Sequence, residues 1–144
     1  MKMEKNGVCE VLYASAYVCG EFASLLEDAG ATIDSLLVKE VTNLPGHIQA
    51  VFIHNMLKIF GFMSNKTAAA DEAGRAKLDE VRNRIIEALP SFTLSGDLEV
   101  QERAVGALAV VEYVFKQRKK VRRLRHRFEP FLPLCSAIYR PAHG

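Results

Sequence analysis

The stretch from Leu44 to Asn55 constrains the fold more than any other part of this chain. It opens with proline and glycine, and Pro45 suits the first turn of a helix, where a missing N–H would lack a partner anyway. Apolar residues then follow at helical spacing and leave one narrow polar stripe: His47, His54, Lys58, Gly61 and Asn65. Because such a helix needs neighbours on several sides, we predict that it is the central helix of a layered assembly and ends near Asn65.

Two helical segments are predicted before this central helix, from apolar residues spaced three or four positions apart. The first covers about residues 8–27, and the polar stripe that includes Glu10 and Glu21 indicates a mostly buried helix and not a membrane span. Gly30 is expected to end it as a left-handed C-terminal cap. Thr32 is expected to cap a short second helix that reaches Val41.

Three further segments are predicted after the central helix. A fourth helix ends or kinks at Pro90, because proline lacks the amide hydrogen that a helix interior needs. Asp97 is the expected N-cap of a fifth helix, which continues into residues 116–127. A short last helix is expected over residues 132–139, and residues 141–144 are expected to form a frayed tail.

Six helical segments in antiparallel order give three hairpins, so the predicted fold class is all-α, an α-solenoid of HEAT or armadillo type. Two hairpin boundaries, near Pro45 and Asp97, have about the spacing of such repeats. A four-helix bundle with extra helices is the competing architecture. We expect residues 1–144 to form one solenoid segment, and the absence of a polar capping repeat suggests a piece of something longer.

No combination of residues predicts catalysis, metal binding or a cofactor. His47 and His54 lie about 10 Å apart along a helix, too far for one zinc ion. Cys9, Cys19 and Cys135 sit in apolar helical patterns and are expected to be reduced, buried thiols. No Ser-His-Asp, Cys-His or paired-carboxylate arrangement stands out. The sequence therefore predicts a protein that is not an enzyme.

Three polar residues are assigned structural roles. Asn55 falls on the apolar side of the central helix, where a buried amide is costly unless it is paired, so a hydrogen bond to a neighbouring turn is expected. Asp97 and Arg103 are expected to act through capping and a local ion pair at the start of the fifth helix.

Residues 116–127, which we call the basic run, contain eight of the 19 lysines and arginines and no acid. The candidate contact residues are Lys116, Arg118, Lys119, Lys120, Arg122, Arg123, Arg125 and Arg127. A solvated helix extension, an anionic membrane surface and an acidic partner segment all remain open as interpretations. Nucleic acid has the least support, because no recognition motif or interleaved aromatic residues accompany the charges. Val121, Leu124 and Phe128 are expected to pack on the preceding helices.

Four stretches, covering roughly residues 9–111 in order, resemble the large adaptin subunits of clathrin-type vesicle adaptors. They are residues 9–22 (Cys-Glu-Val-Leu-Tyr-Ala-Ser-Ala-Tyr-Val-Cys-Gly-Glu-Phe), 44–52 (Leu-Pro-Gly-His-Ile-Gln-Ala-Val-Phe), 88–92 (Ala-Leu-Pro-Ser-Phe) and 97–104 (Asp-Leu-Glu-Val-Gln-Glu-Arg-Ala). The second stretch is the most specific and is similar to the delta subunits of adaptor protein complex 3. The resemblance implies an α-solenoid from the C-terminal part of an adaptin trunk.

The same resemblance implies a non-enzymatic scaffold segment of a cytoplasmic coat, peripheral on Golgi or endosomal membranes, that sorts cargo toward lysosome-like organelles. Its implied partners are the other subunits of a heterotetrameric adaptor complex. The family offers no catalytic residues, and its trunk is less basic than residues 116–127, so the resemblance gives this run no role. The alternative is a self-contained helical module that binds acidic partners or nucleic acid through the basic run.

Overall fold

The computed structural model describes residues 2–67 and 72–128, and every regular element within these ranges is a helix. The α-helices are α1 (Lys2–Glu21), α2 (Ala29–Leu36), α3 (Gly46–Thr67), α4 (Glu72–Ala88), α5 (Pro90–Thr93) and α6 (Leu98–Phe128). Short 3-10 helices cover Ala23–Leu25 and Lys39–Asn43. The predicted all-α class is confirmed, and the packed helices fit a solenoid of hairpins. The chain divides into two compact units, Met1–Val111 and Glu112–Gly144.

Helix α3 is the centre of the first unit, because it packs against α1, α2 and α4. Its apolar residues account for much of the core, and Ile48, Ile53 and Ile59 are completely buried. The prediction of a central helix opening near Pro45 is therefore confirmed. Pro45 itself lies just before the helix, where its carbonyl accepts hydrogen bonds from the Ile48 and Gln49 amides.

Helix α1 comes close to α3 at Gly20. A Cβ atom built on Gly20 would lie 2.0 Å from Asn55 Oδ1 and 2.9 Å from Asn55 Cβ. Real Cβ atoms do not approach other atoms this closely, so only glycine fits here. The missing side chain of Gly20 therefore makes room for the buried Asn55 side chain, and nearby Ala16 is also buried.

The starts of α3 and α6 also approach each other closely, at Gly46. A Cβ atom on Gly46 would lie 2.0 Å from Asp97 Oδ2 and 3.0 Å from Asp97 Cβ. The Asp97 side chain in turn caps α6, because its Oδ1 accepts from the Glu99 amide at 2.9 Å and the Val100 amide at 3.4 Å. The predicted capping role of Asp97 is confirmed, and the same carboxylate packs against the first turn of α3.

The boundaries of the first two helices differ from the prediction. Helix α1 ends at Glu21, and α2 starts earlier than expected because Asp28 is its N-cap, accepting from the Gly30 and Ala31 amides. Gly30 is thus a helical residue of the first turn and not a left-handed cap, and no described glycine has a positive φ. Thr32 lies inside the helix, where its hydroxyl donates to the Asp28 carbonyl.

Proline ends α4 as predicted. Pro90 opens the one-turn helix α5, and Leu89 and Phe92 on either side of it are completely buried. The predicted extension of the next helix is also confirmed, because α6 runs without a break from Leu98 to Phe128. The last predicted helix, over residues 132–139, and the tail at 141–144 lie outside the described residues, as does Cys135.

In the first turn of both α3 and α6, a glutamine side chain donates a hydrogen bond to the turn before the helix. Gln49 is buried, and its Nε2 donates to the Leu44 carbonyl at 2.7 Å and to the Thr42 carbonyl at 3.1 Å. Gln101 Nε2 likewise donates to the Ser95 carbonyl, in the turn before α6. Each glutamine ties its helix to the preceding turn, which satisfies carbonyl groups that a helical hairpin would otherwise leave unpaired.

Ile48 precedes Val100, and Ile59 precedes Val111, by the same number of residues that separates Gln49 from Gln101. All four of these apolar residues are completely buried. The two helices therefore start at equivalent positions and bury equivalent residues. This is the internal repetition that the residue letters alone show only weakly.

Candidate interaction surfaces

A polar ridge runs over α1, α3 and the start of α6. Lys58 forms an ion pair with Glu21, and its ammonium lies 5.4 Å from the ring centre of Tyr17. Burial lowers the pKa of His54 below its ordinary value, and the charges of Lys58 and Arg103 act in the same direction, while Glu21 opposes them. The surroundings of His54 therefore favour its neutral form over its protonated form.

The structure tests the structural roles predicted for Arg103 and Asn55. Arg103 donates to Glu99 Oε1 at 3.0 and 2.9 Å, so the predicted local ion pair at the start of α6 is confirmed. Asn55 is completely buried, as predicted, but its partner is different. Its Nδ2 donates at 2.8 Å to the Val51 carbonyl in the preceding turn of α3 itself, and not to a turn of another element. Gly20 of α1 lies against the same Asn55 side chain.

The described residues do not assemble a metal centre. Within residues 2–67 and 72–128, no group of three or more His, Cys, Asp or Glu side chains could hold a metal ion. Cys9 and Cys19 are half-buried, less than the core position predicted for them. Across the same residues, the helices are too short or too polar to cross a membrane.

A shallow groove of about 310 Å³ lies beside α2 and α4. Asp34, Leu37, Arg84, Glu87 and Ala88 line it. Arg84 Nε donates to Asp34 Oδ1 at 2.8 Å, so the guanidinium and this carboxylate already satisfy each other. Both side chains are also partly exposed to solvent, which places this ion pair among those that contribute little to stability.

Helix α1 and Phe22, the residue directly after it, carry an apolar stripe that faces solvent. We define the stripe as Val8, Val11, Val18 and Phe22, whose exposed fractions are 60%, 65%, 51% and 54%. The prediction of a mostly buried first helix was therefore wrong for this side. Among the described residues, α1 is covered only on the side that contains Ala16 and Gly20, which faces α3. The spacing of the four residues was the sequence signal for a second apolar side. A stripe of this kind is typical of an interaction surface.

The second unit presents the basic run on α6. Most of the run is exposed: Lys116, Lys119, Lys120, Arg122, Arg123 and Arg127. Arg118 is half-buried, and the side chain of Arg125 lies outside the described ones. Two of the cations have contacts within the helix, because Lys116 lies 3.9 Å from Glu112 and the Lys119 ammonium lies 4.5 Å from the ring centre of Phe115.

The apolar residues within the basic run are not buried, contrary to the prediction. Val121 is 63% exposed and Leu124 is 45% exposed, while the Phe128 side chain lies outside the described ones. No described element covers this side of the helix. The predicted continuation of the core stripe stops with the half-buried Val114 and Phe115.

Comparison with known proteins relates the chain to one family. No family model matches the chain. The chain is 43% identical to the AP-3 complex subunit delta-1 of Bos taurus over 118 residues, which are 81% of this chain and 10% of that protein. It is 34% identical to the AP-3 complex subunit delta of Dictyostelium discoideum over 69% of the chain, again 10% of the relative. The corresponding Arabidopsis thaliana subunit is 27% identical over 72% of the chain.

These matches first define a class, the large adaptin-type subunits of adaptor complexes, in agreement with the all-helical fold. Within that class, the relationship is to the delta subunits of the AP-3 complex, so the resemblance predicted from the sequence is confirmed. The chain spans about a tenth of the length of the first two of these relatives.

Proposed function

We propose that this chain is a scaffold segment of a vesicle-coat adaptor complex, acting in intracellular protein transport without catalysing a reaction. The observation that carries the proposal is the 43% identity to an AP-3 delta subunit over 81% of the chain. The chain would work as part of a multi-subunit complex at the cytoplasmic surface of Golgi or endosomal membranes. Its role in sorting would come from shape and surface, because the Lys58 and Glu21 charges of the polar ridge are already paired with each other.

The apolar stripe of α1 supports this role. Four large apolar side chains, each more than half exposed, lie on one side of this segment and are costly to leave in water. We propose that a helix of the same adaptor complex covers it, since helical solenoids bury such strips by stacking one helical repeat on the next. The opposite side of α1 already packs on α3, so a helix placed on the stripe would extend the helical stack beyond α1.

A chimera tests the proposal. The matched stretch of the Bos taurus AP-3 delta-1 subunit is replaced by this chain and produced together with the other AP-3 subunits. We expect the chimera to co-purify with them as the natural subunit does. A chimera that is folded by circular dichroism but stays unassembled, while the natural subunit assembles, would overturn the proposal.

The stripe is tested in the same chimera by Val11→Ser combined with Val18→Ser. We expect this variant to reduce the yield of assembled complex, because it removes apolar area at the centre of the stripe. Val105→Ser combined with Val110→Ser is the matched control, since those two valines of α6 are similarly exposed and lie off the stripe. Equal assembly of both variants would mean that the stripe is not the contact.

A further inference from the structure

The second half of α6 combines two features that a solvated helix does not need together. Of the residues described in the second unit, eight are lysine or arginine and Glu112 alone is acidic. Within this charge, Val121 and Leu124 expose 63% and 45% of their surface. Helical residues three or four positions apart are neighbours, so Val121 and Leu124 lie on one face of the helix.

Cations border this apolar face on both sides. Lys120 lies four positions before Leu124 and Arg127 lies three positions after it, and both are exposed. On the other border, Arg118 precedes Val121 by three positions and Arg122 follows directly. Long basic side chains can lie along apolar surface while their charged ends reach outward to polar groups. The helix therefore presents an apolar centre with a cationic rim.

We propose that residues 112–128 form an interfacial helix that docks on an anionic lipid surface, with Val121 and Leu124 at the acyl boundary and the flanking cations on the headgroups. A basic amphipathic helix of this type lies in the plane of the membrane interface. The inference rests on the proposed function for its setting, because a coat segment works against a membrane.

The exposed apolar residues favour lipid over the other anionic partners. A nucleic acid would use the cations through its phosphates, but Val121 and Leu124 would have no partner on a phosphate backbone. An acidic protein segment would likewise pair with the charges. A membrane takes up both parts of the surface, since anionic headgroups attract the rim and the acyl boundary accepts the apolar centre.

The chain contains no tryptophan, so a single introduced one reports on its own surroundings. We expect Leu124→Trp in the full chain to shift its fluorescence to shorter wavelength with phosphatidylcholine vesicles that contain about one fifth phosphatidylserine. Phosphatidylcholine alone should leave the spectrum unchanged. Val105→Trp is the matched control, because Val105 is also exposed on α6 but lies outside the basic run, and it should show no shift. A Leu124→Trp spectrum that is the same with and without anionic vesicles would overturn the proposal.

Two pairs of variants separate the charged rim from the apolar centre. Lys120→Gln with Arg127→Gln should weaken co-sedimentation with the anionic vesicles about tenfold or more, since each cation near the surface adds to the attraction. Lys39→Gln with Lys66→Gln removes the same charge elsewhere and should change it less than about twofold. Added salt should weaken binding, because exposed charges are screened over about 8 Å at physiological ionic strength.

Val121→Ser with Leu124→Ser should also weaken vesicle binding while leaving the melting temperature unchanged. Unchanged vesicle binding by this variant would assign the run to charge attraction alone and overturn the docked helix. The same conclusion would follow if the natural chain bound a double-stranded DNA or a polyglutamate peptide as tightly as it binds the anionic vesicles. Failure of the chimera to assemble would leave these vesicle results untouched, so the two proposals can fail separately.

Discussion

Replacing Gly20 by alanine tests the close contact between α1 and α3. The new methyl group would lie 2.0 Å from Asn55 Oδ1 and 2.9 Å from Asn55 Cβ. Rotating the amide moves Oδ1 but not Cβ, so the helices must also shift, and overpacking of this kind costs about 1–3 kcal/mol. If the Asn55 amide also loses its hydrogen bond to Val51, the unfolding free energy falls by roughly a further 1–3 kcal/mol. The higher helix propensity of alanine offsets up to about 1 kcal/mol of this loss.

The unfolding free energy of Gly20→Ala should therefore fall by about 1–5 kcal/mol, as measured by urea unfolding followed by circular dichroism. Gly61→Ala is the matched control, because Gly61 is helical and no atom lies within 4 Å of its added Cβ. That variant should be neutral or more stable. Asn55→Gly should rescue part of the Gly20→Ala loss by removing the opposing Cβ. If Gly20→Ala were as stable as Gly61→Ala, the packing described for Gly20 would be wrong.

Two further changes probe the core and the polar ridge. Phe52→Ala should lower the unfolding free energy by about 3–5 kcal/mol, because Phe52 is buried, and a loss below about 1 kcal/mol in urea unfolding would mean that this side of α3 is placed wrongly. The pKa of His54 in the folded chain lies below its ordinary value of 6.5, so the unfolded chain binds this proton first and stability should fall as the pH drops below about 6.5. His54→Gln should flatten this part of the stability curve relative to the natural chain, and an unchanged slope between pH 7 and 5 would contradict the assignment.

The sequence predicted the parts of the fold that depend on apolar periodicity and helix caps. The central helix, the break at Pro90 and the cap at Asp97 each follow from a strong local signal, and each is present in the structure. The end of α1 and the start of α2 were harder. Both Asp28 and Thr32 are good N-caps by type, and only the geometry shows that Asp28 takes this role.

The exposed surfaces could not be predicted from periodicity alone. Val18 and Val121 both lie on helices with regular apolar spacing, and nothing in that spacing says whether a neighbour covers them. The same limit applies to Asn55, whose buried position follows from the pattern but whose partner, the Val51 carbonyl, does not. Tertiary packing decides these features, and the sequence within one helix does not contain it.

The two glycine contacts have an evolutionary consequence. Gly20 makes room for Asn55, and Gly46 makes room for Asp97, so each contact divides one steric requirement between two helices. A larger residue at either glycine would be tolerated only after its opposite residue had become smaller. The two members of each pair should therefore drift together among descendants of this chain. A helix transplanted from a distant relative would need to bring its partner with it.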